Sequence, residues 1–129
     1  MRLLFIAPAV FAACLLAPNG AAAMTSGELL QSCQSVANAA VAGDGAIIDI
    51  PKSGLPCWYY MSAVQNMSVL VDENGTRLLG LCPPADSTVL DFVRIFVQYA
   101  RKQTAAAKNG AENAAAMALP GLAKAFPCR

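Results

Sequence analysis

The chain predicts an all-α fold, a small disulfide-stapled bundle of about four helices. Three observations carry that expectation. Four segments space apolar residues three and four apart, the period of a helix with one buried face. No stretch alternates apolar and polar residues long enough to build a sheet. Of the five cysteines, Cys33, Cys57, Cys82 and Cys128 lie beyond the first 23 residues, and an even set in a small exported domain reads as disulfides.

Residues 1–23 read as a signal peptide. Arg2 supplies the positive start, and Leu3 to Leu16 is an apolar core short for a bilayer span. Pro18, Asn19 and Gly20 break it, and Ala21-Ala22-Ala23 offers an A-x-A cleavage site before Met24. An uncleaved anchor fits this length less well. A lipoprotein is the other alternative, because Phe11-Ala12-Ala13-Cys14 resembles a lipobox. Phe is unusual at its first position, however, and apolar residues continue past Cys14. The expected product is therefore one domain, residues 24–129, released into an oxidising compartment with no membrane attachment. Cys14 leaves with the leader.

Thr25-Ser26-Gly27-Glu28 reads as a capping box. Leu30, Cys33, Val36, Ala37, Ala40 and Val41 then repeat at helical spacing, predicting a first helix that ends near Gly43. Gly43-Asp44-Gly45 is a turn; it lacks the third glycine and the preceding strand of a nucleotide-binding loop. Ala46 to Ile50 reads as an extended stretch over the core. Pro51, Gly54 and Pro56 punctuate a loop. A second helix is expected from Pro56 or Cys57, with Cys57, Tyr60, Val64, Met67 and Val71 as its stripe. Asp72-Glu73-Asn74-Gly75 stops it.

Cys82-Pro83-Pro84 precedes a third helix capped by Asp86 or Ser87. Its core stripe is Val89, Phe92, Val93, Phe96 and Ala100, with Asp91, Arg94, Gln98 and Lys102 outward. Asn109-Gly110 marks a break. A fourth helix is expected over 111–125, with Ala115, Ala118, Leu119, Leu122 and Phe126 on its apolar side. Pro120 predicts a kink, or a stop and restart, within it.

Composition narrows the function. Without Arg2, the nine Lys/Arg fall to eight and balance the eight Asp/Glu. Such a balance leaves no electrostatic footprint for nucleic acid or anionic lipid. No histidine is present, which removes the commonest general base and transition-metal ligand. The cysteine spacings are wide and contain no C-x-x-C pair, unlike a zinc site. No histidine is available to activate a catalytic thiol. Asp72 and Glu73, in a polar turn, read as solvated carboxylates rather than an acid/base pair. No catalytic residue, metal ligand or cofactor is expected, and an enzyme is the least supported class.

Four cysteines permit three pairings. Cys57–Cys82 with Cys33–Cys128 is the preferred set. A helix climbing from Cys57 to Val71 rises roughly 20 Å, and the following connection is long enough to return to Cys82. Reach alone leaves the other two sets open.

Trp58, Tyr59 and Tyr60 are consecutive, and helical neighbours point about 100° apart. Tyr60 aligns with Val64 and Met67 toward the core, Trp58 lies at the boundary, and Tyr59 joins the polar side with Ser62, Ala63 and Asn66. Tyr59, with Trp58, is therefore a candidate anchor for a protein partner. The competing expectation is that Ala46–Ile50 covers both rings. The loop bearing Asp72, Glu73, Asn74 and Arg77 is polar and turn-rich, and is a second candidate contact.

The arrangement resembles the Rap/Tai family of type VI secretion immunity proteins. The matching features are Thr25-x-x-x-Leu29-Leu30-x-x-Cys33, Cys57-x-x-Tyr60, Cys82-Pro83 before a long helix, and the terminal Ala125-Phe126-Pro127-Cys128. Tyr59 and Ala63 stand where the family usually carries glycines, and its His-Pro after the third helix is absent. The resemblance implies a periplasmic immunity protein that binds a secreted cell-wall amidase effector and sterically blocks its active cleft, often as a homodimer. Two other functions fit the sequence. One is a periplasmic stress chaperone, against which the sparse, balanced charge argues. The other is an orphan family member serving as a binding module for an unidentified partner.

Overall fold

Thr25 opens the first helix, α1 (Ser26–Ala42), with the reciprocal cap its sequence predicts. The Glu28 amide donates to the Thr25 hydroxyl at 3.2 Å, and the Glu28 carboxylate accepts from the Thr25 amide at 2.8 Å. These bonds to the charged form hold the Glu28 carboxyl below its ordinary range. The structure, a computed structural model, describes residues 22–42, 49–103, 105 and 112–129. The leader up to residue 21, the Gly43-Asp44-Gly45 turn, residues 46–48 and the Asn109-Gly110 break lie outside the described residues.

Among the described residues three further helices follow: α2 (Leu55–Met67), α3 (Val89–Arg101) and α4 (Ala114–Ala125), with a short 3-10 turn at Lys52–Gly54 before α2. The described residues contain isolated β-bridges but no strand, so the fold is all-α. Helices α1 and α3 form the central pair; α2 and α4 each pack against both. Leu29, Cys33 and Val36 of α1, Met61 of α2, Phe92, Val93 and Phe96 of α3, and Ala118 and Leu122 of α4 fill the space between them. The Phe126 ring closes the core against Phe92, with centroids 5.0 Å apart.

Two helices depart from expectation in their buried face. In α2 the covered residues are Cys57, Met61 and Val64, continued by Ser68 at its C-cap, whereas Tyr60 is half-buried and Met67 is 42% exposed. Both sets have helical spacing, so periodicity alone does not separate them. The Ser68 hydroxyl makes its burial tolerable by donating to the Gln65 carbonyl at 2.7 Å. The helix also stops at Met67, and Val71 lies outside it, half-exposed. In α4 Ala118, Leu122 and Phe126 are covered as expected, but Ala114, Met117 and Gly121 complete the covered side while Ala115 and Leu119 are only half-buried.

Pro120 does not divide α4, which is continuous from Ala114 to Ala125. Proline withholds one backbone donor, so the carbonyl of Ala116 loses its helical partner. Ala116 and Pro120 are both exposed, and water can satisfy that carbonyl. Helix α3 is capped one or two residues later than expected, by Thr88 rather than Asp86 or Ser87. The Thr88 hydroxyl accepts from the Asp91 amide and the Asp91 carboxylate accepts from Thr88, a capping box that Asp86 and Ser87 do not form.

The disulfides are Cys33–Cys57 and Cys82–Cys128, which corrects the expected Cys57–Cys82 and Cys33–Cys128 pairs. The reason is local to α1. The Ser32 hydroxyl donates to the Ser53 carbonyl at 2.7 Å and accepts from the Cys57 amide at 3.0 Å. That clamp lays the first turn of α2 across the middle of α1, and the Cα atoms of Cys33 and Cys57 come within 5.0 Å. At the other end, the Cys82 amide donates to the Phe126 carbonyl at 3.0 Å, and Leu81 bridges Pro127. Cys82 is thereby set beside Cys128. In the loop-entropy account the two bonds contribute on the order of 3.5 and 4 kcal/mol, respectively.

Gly54 is required by this docking. A Cβ there would stand 2.6 Å from Val36 Cγ2 and 3.3 Å from Pro51 Cγ. Gly54→Ala should lower stability by about 1–3 kcal/mol in denaturant titration, because a buried β-branched side chain must move. The α3 cap predicts a pH effect. Hydrogen bonds from the Thr88 amide and hydroxyl, with a smaller contribution from Arg94, hold the Asp91 carboxyl below its ordinary value. A depressed folded-state value stabilises above the unfolded pKa and is lost as pH falls through the folded one. Wild type should therefore be more stable than Asp91→Ala at pH 7, by about 1 kcal/mol. The gap should narrow below the ordinary value of 3.8.

Candidate interaction surface

Between α2 and α3 the chain makes a short hairpin built on one aspartate. The Asp72 carboxylate accepts from the amides of Asn74 and Thr76, each at 2.8 Å. Such a side-chain turn is what an aspartate two residues before a turn can form. The Asp72 amide donates to the Thr76 carbonyl at 2.9 Å, Val71 pairs antiparallel with Arg77, and the Leu78 amide donates to the Leu70 carbonyl at 3.0 Å. Gly75 sits at φ 79°, in the left-handed region that an Asn-Gly turn calls for. The Arg77 guanidinium reaches across to donate to the Val69 carbonyl.

This hairpin projects apolar side chains to solvent. Val69 is 63% exposed, Leu78 60%, and Leu70 and Val71 each 49%. Met67 stands at its root on α2. From there an exposed row runs back along α2 through Asn66 and Ala63 to Tyr59, which is 67% exposed. Tyr59 and Met67 are about 12 Å apart along the axis. Aromatic and apolar side chains gathered on one exposed row and loop mark a protein-contact surface more than scattered singles do.

The expected contact residues divide. Tyr59 is open, as its place on the polar side of α2 implies. Trp58 is half-buried and packs against the core, as does Tyr60, whose phenol is pushed up by burial. Asp72 and Arg77 are exposed or nearly so, but their polar groups brace the hairpin from within. Glu73 and Asn74 are exposed at its tip. The residues that sequence reasoning missed are Val69, Leu70, Val71 and Leu78. Their signal was present: an Asn-Gly turn between two apolar runs is the short-range mark of a hairpin. Val71 had instead been assigned to the buried stripe of a longer α2.

Two of the clefts that the described residues border lie elsewhere. One, of about 590 Å³, is bordered by Glu28, Gln31, Ser32, Ser35, Ser53 and Pro56, together with Ala22 and Met24. Its Ser32 hydroxyl is already committed to the α1–α2 clamp. The other, of about 340 Å³, separates the hairpin from the Cys82–Cys128 bond and is bordered by Gly75, Thr76, Arg77, Gly80 and Arg129. Among the described residues no cluster of His, Cys, Asp and Glu could hold a metal ion, and no helix is long and apolar enough to cross a membrane.

Comparison with known proteins places the chain. The family model described as Rap1a immunity proteins matches residues 25–128. No curated protein and no solved structure matches it.

The hairpin's bracing predicts a separable effect. Asp72→Ala removes two backbone contacts at an exposed turn. It should accelerate amide hydrogen exchange from 70 to 78 while lowering global stability by no more than about 1 kcal/mol.

Proposed function

The chain belongs to the Rap1a immunity protein family, and from that premise we propose that it protects a cell by binding a type VI secretion effector, a cell-wall amidase, and blocking its active cleft. The observation that carries this reading is the braced hairpin with exposed apolar flanks. A cleft that admits a peptidoglycan strand also admits a narrow hairpin. Val69, Val71 and Leu78 supply burial against its walls, and the acidic tip with Glu73 meets its floor. The chemistry is occlusion and needs no turnover. Internal bonds from Asp72 and Arg77 order the loop before binding, so less conformational entropy is lost on association.

Export supports the same reading. Residues 1–23 are removed as a signal peptide, and residues 24–129 fold as one domain in the periplasm, where an oxidising environment forms both disulfides. The amidase substrate, the cell wall, lies in that compartment. Tyr59 adds an aromatic anchor at the far end of the exposed row.

The test is rescue of growth. Periplasmic expression of the amidase effector encoded beside this chain should kill, and co-expression of the chain should restore growth. Val71→Asp and Leu78→Asp should each weaken effector binding at least about a hundredfold, and Tyr59→Ala about tenfold. Circular dichroism and melting temperature should stay unchanged. Wild-type affinity in the two hairpin variants would sink the hairpin assignment. Failure of the wild-type chain to rescue would leave a binding module for another partner. The mass of the purified complex reports whether one or two copies of the chain engage.

A further inference from the structure

We propose that Cys82–Cys128 is a thiol–disulfide exchange site for an external dithiol, and that Cys33–Cys57 is closed to the same reagent. The two bonds lie in opposite surroundings. Cys33 and Cys57 are 0% exposed, enclosed between α1 and α2. Cys82 is half-buried and Cys128 exposed, and both border the cleft of about 340 Å³ beneath the hairpin. Exchange needs a thiolate to reach a disulfide sulfur, so access decides which bond reacts.

The cleft also favours the chemistry. Arg77 and Arg129 border it along with the two cysteines, and among the described residues no Asp or Glu does. An incoming thiolate attacks Sγ of Cys128, the more exposed residue of the pair, and the Cys82–Cys128 bond breaks with its electron pair going to Cys82. Arg77 is committed to the Val69 carbonyl, so the Arg129 guanidinium stabilises the departing thiolate, and a leaving thiol of lower pKa leaves faster. The second thiol of the dithiol then attacks its own sulfur in the mixed disulfide and frees Cys128. The dithiol is oxidised to a disulfide, the two cysteines are reduced, and the two protons of the dithiol end on Cys82 and Cys128.

The bond is placed to act on the hairpin. The chain leaving the hairpin is held by the Cys82 amide on the Phe126 carbonyl and by the Leu81–Pro127 bridge. Cys82–Cys128 staples that pair. Reduction frees residues 127–129 and loosens the root of the hairpin, while Cys33–Cys57 keeps α1 and α2 joined. The exposed apolar surface is then ordered when the bond is closed and loosened when it is open. None of this depends on the identity of the partner.

The oxidised protein, treated briefly with dithiothreitol under native conditions and trapped with iodoacetamide, tests the proposal by peptide mass mapping. Cys82 and Cys128 should be alkylated at least about a hundredfold faster than Cys33 and Cys57, whose bond is reached only by opening the core. Arg129→Gln should slow the reaction severalfold. In the doubly alkylated protein the Cys82 amide and the amides of residues 72–78 should exchange faster, with the Cys57 amide still protected. Alkylation of all four cysteines at one rate, of Cys33 and Cys57 first, or of none without denaturant would overturn the exchange site. Unchanged exchange in the hairpin after selective alkylation would overturn its coupling to the surface.

Discussion

The Ser32 hydroxyl lies where α1, the 3-10 turn and α2 meet, and it answers backbone groups on both sides of that junction. It accepts from the Cys57 amide, one of the donors that a helix start leaves without a partner, and donates to the Ser53 carbonyl of the 3-10 turn. The same contact places Cys33 against Cys57 and brings Gly54 against Val36. From that fixed start the length of α2 determines where its other end emerges, and hence where the hairpin stands. A buried polar bond thus sets direction, and the disulfide beside it makes the direction hard to lose.

The molecule divides its covalent reinforcement between a closed half and an open one. The first disulfide lies inside the α1–α2 contact and shares its burial. The second ties the chain end to the segment leading into α3, where Phe126 turns inward against Phe92. The hairpin springs from between these halves. Its order comes from Asp72, Arg77 and the pairing of Val71 with Arg77, so its apolar side chains remain available. A loop that draws its order from its own polar atoms can expose hydrophobic groups without collapsing onto the core.

Much of this was legible in the residues. The capping box at Thr25 and Glu28, the α3 stripe of Phe92, Val93, Phe96 and Ala100, and the exposure of Tyr59 follow from spacing and residue chemistry. The errors have a common origin. For α2, the sets Cys57-Tyr60-Val64-Met67 and Cys57-Met61-Val64-Ser68 are both helical, and hydrophobicity favours the first because Ser68 is polar. Packing chose the second, since Ser68 bonds back to Gln65. Running α2 on to Val71 hid the hairpin, and with it Val69, Leu70 and Leu78. Pro120 was expected to disturb α4, but the carbonyl it deprives lies on a solvent-facing side.

What the sequence determined by itself was the all-α class, the four helices of the described residues, the capping box of α1 and the presence of four cysteines suited to crosslinking. These are local properties, set by period, propensity and residue type within one segment. The tertiary structure alone decided which cysteines meet, which side of α2 and α4 is covered, and that apolar residues beyond Met67 face water. Those outcomes depend on distances between segments far apart in the chain. Spacing along a sequence bounds such distances, and only the packing of α2 on α1 and of the chain end on Leu81 selects among them.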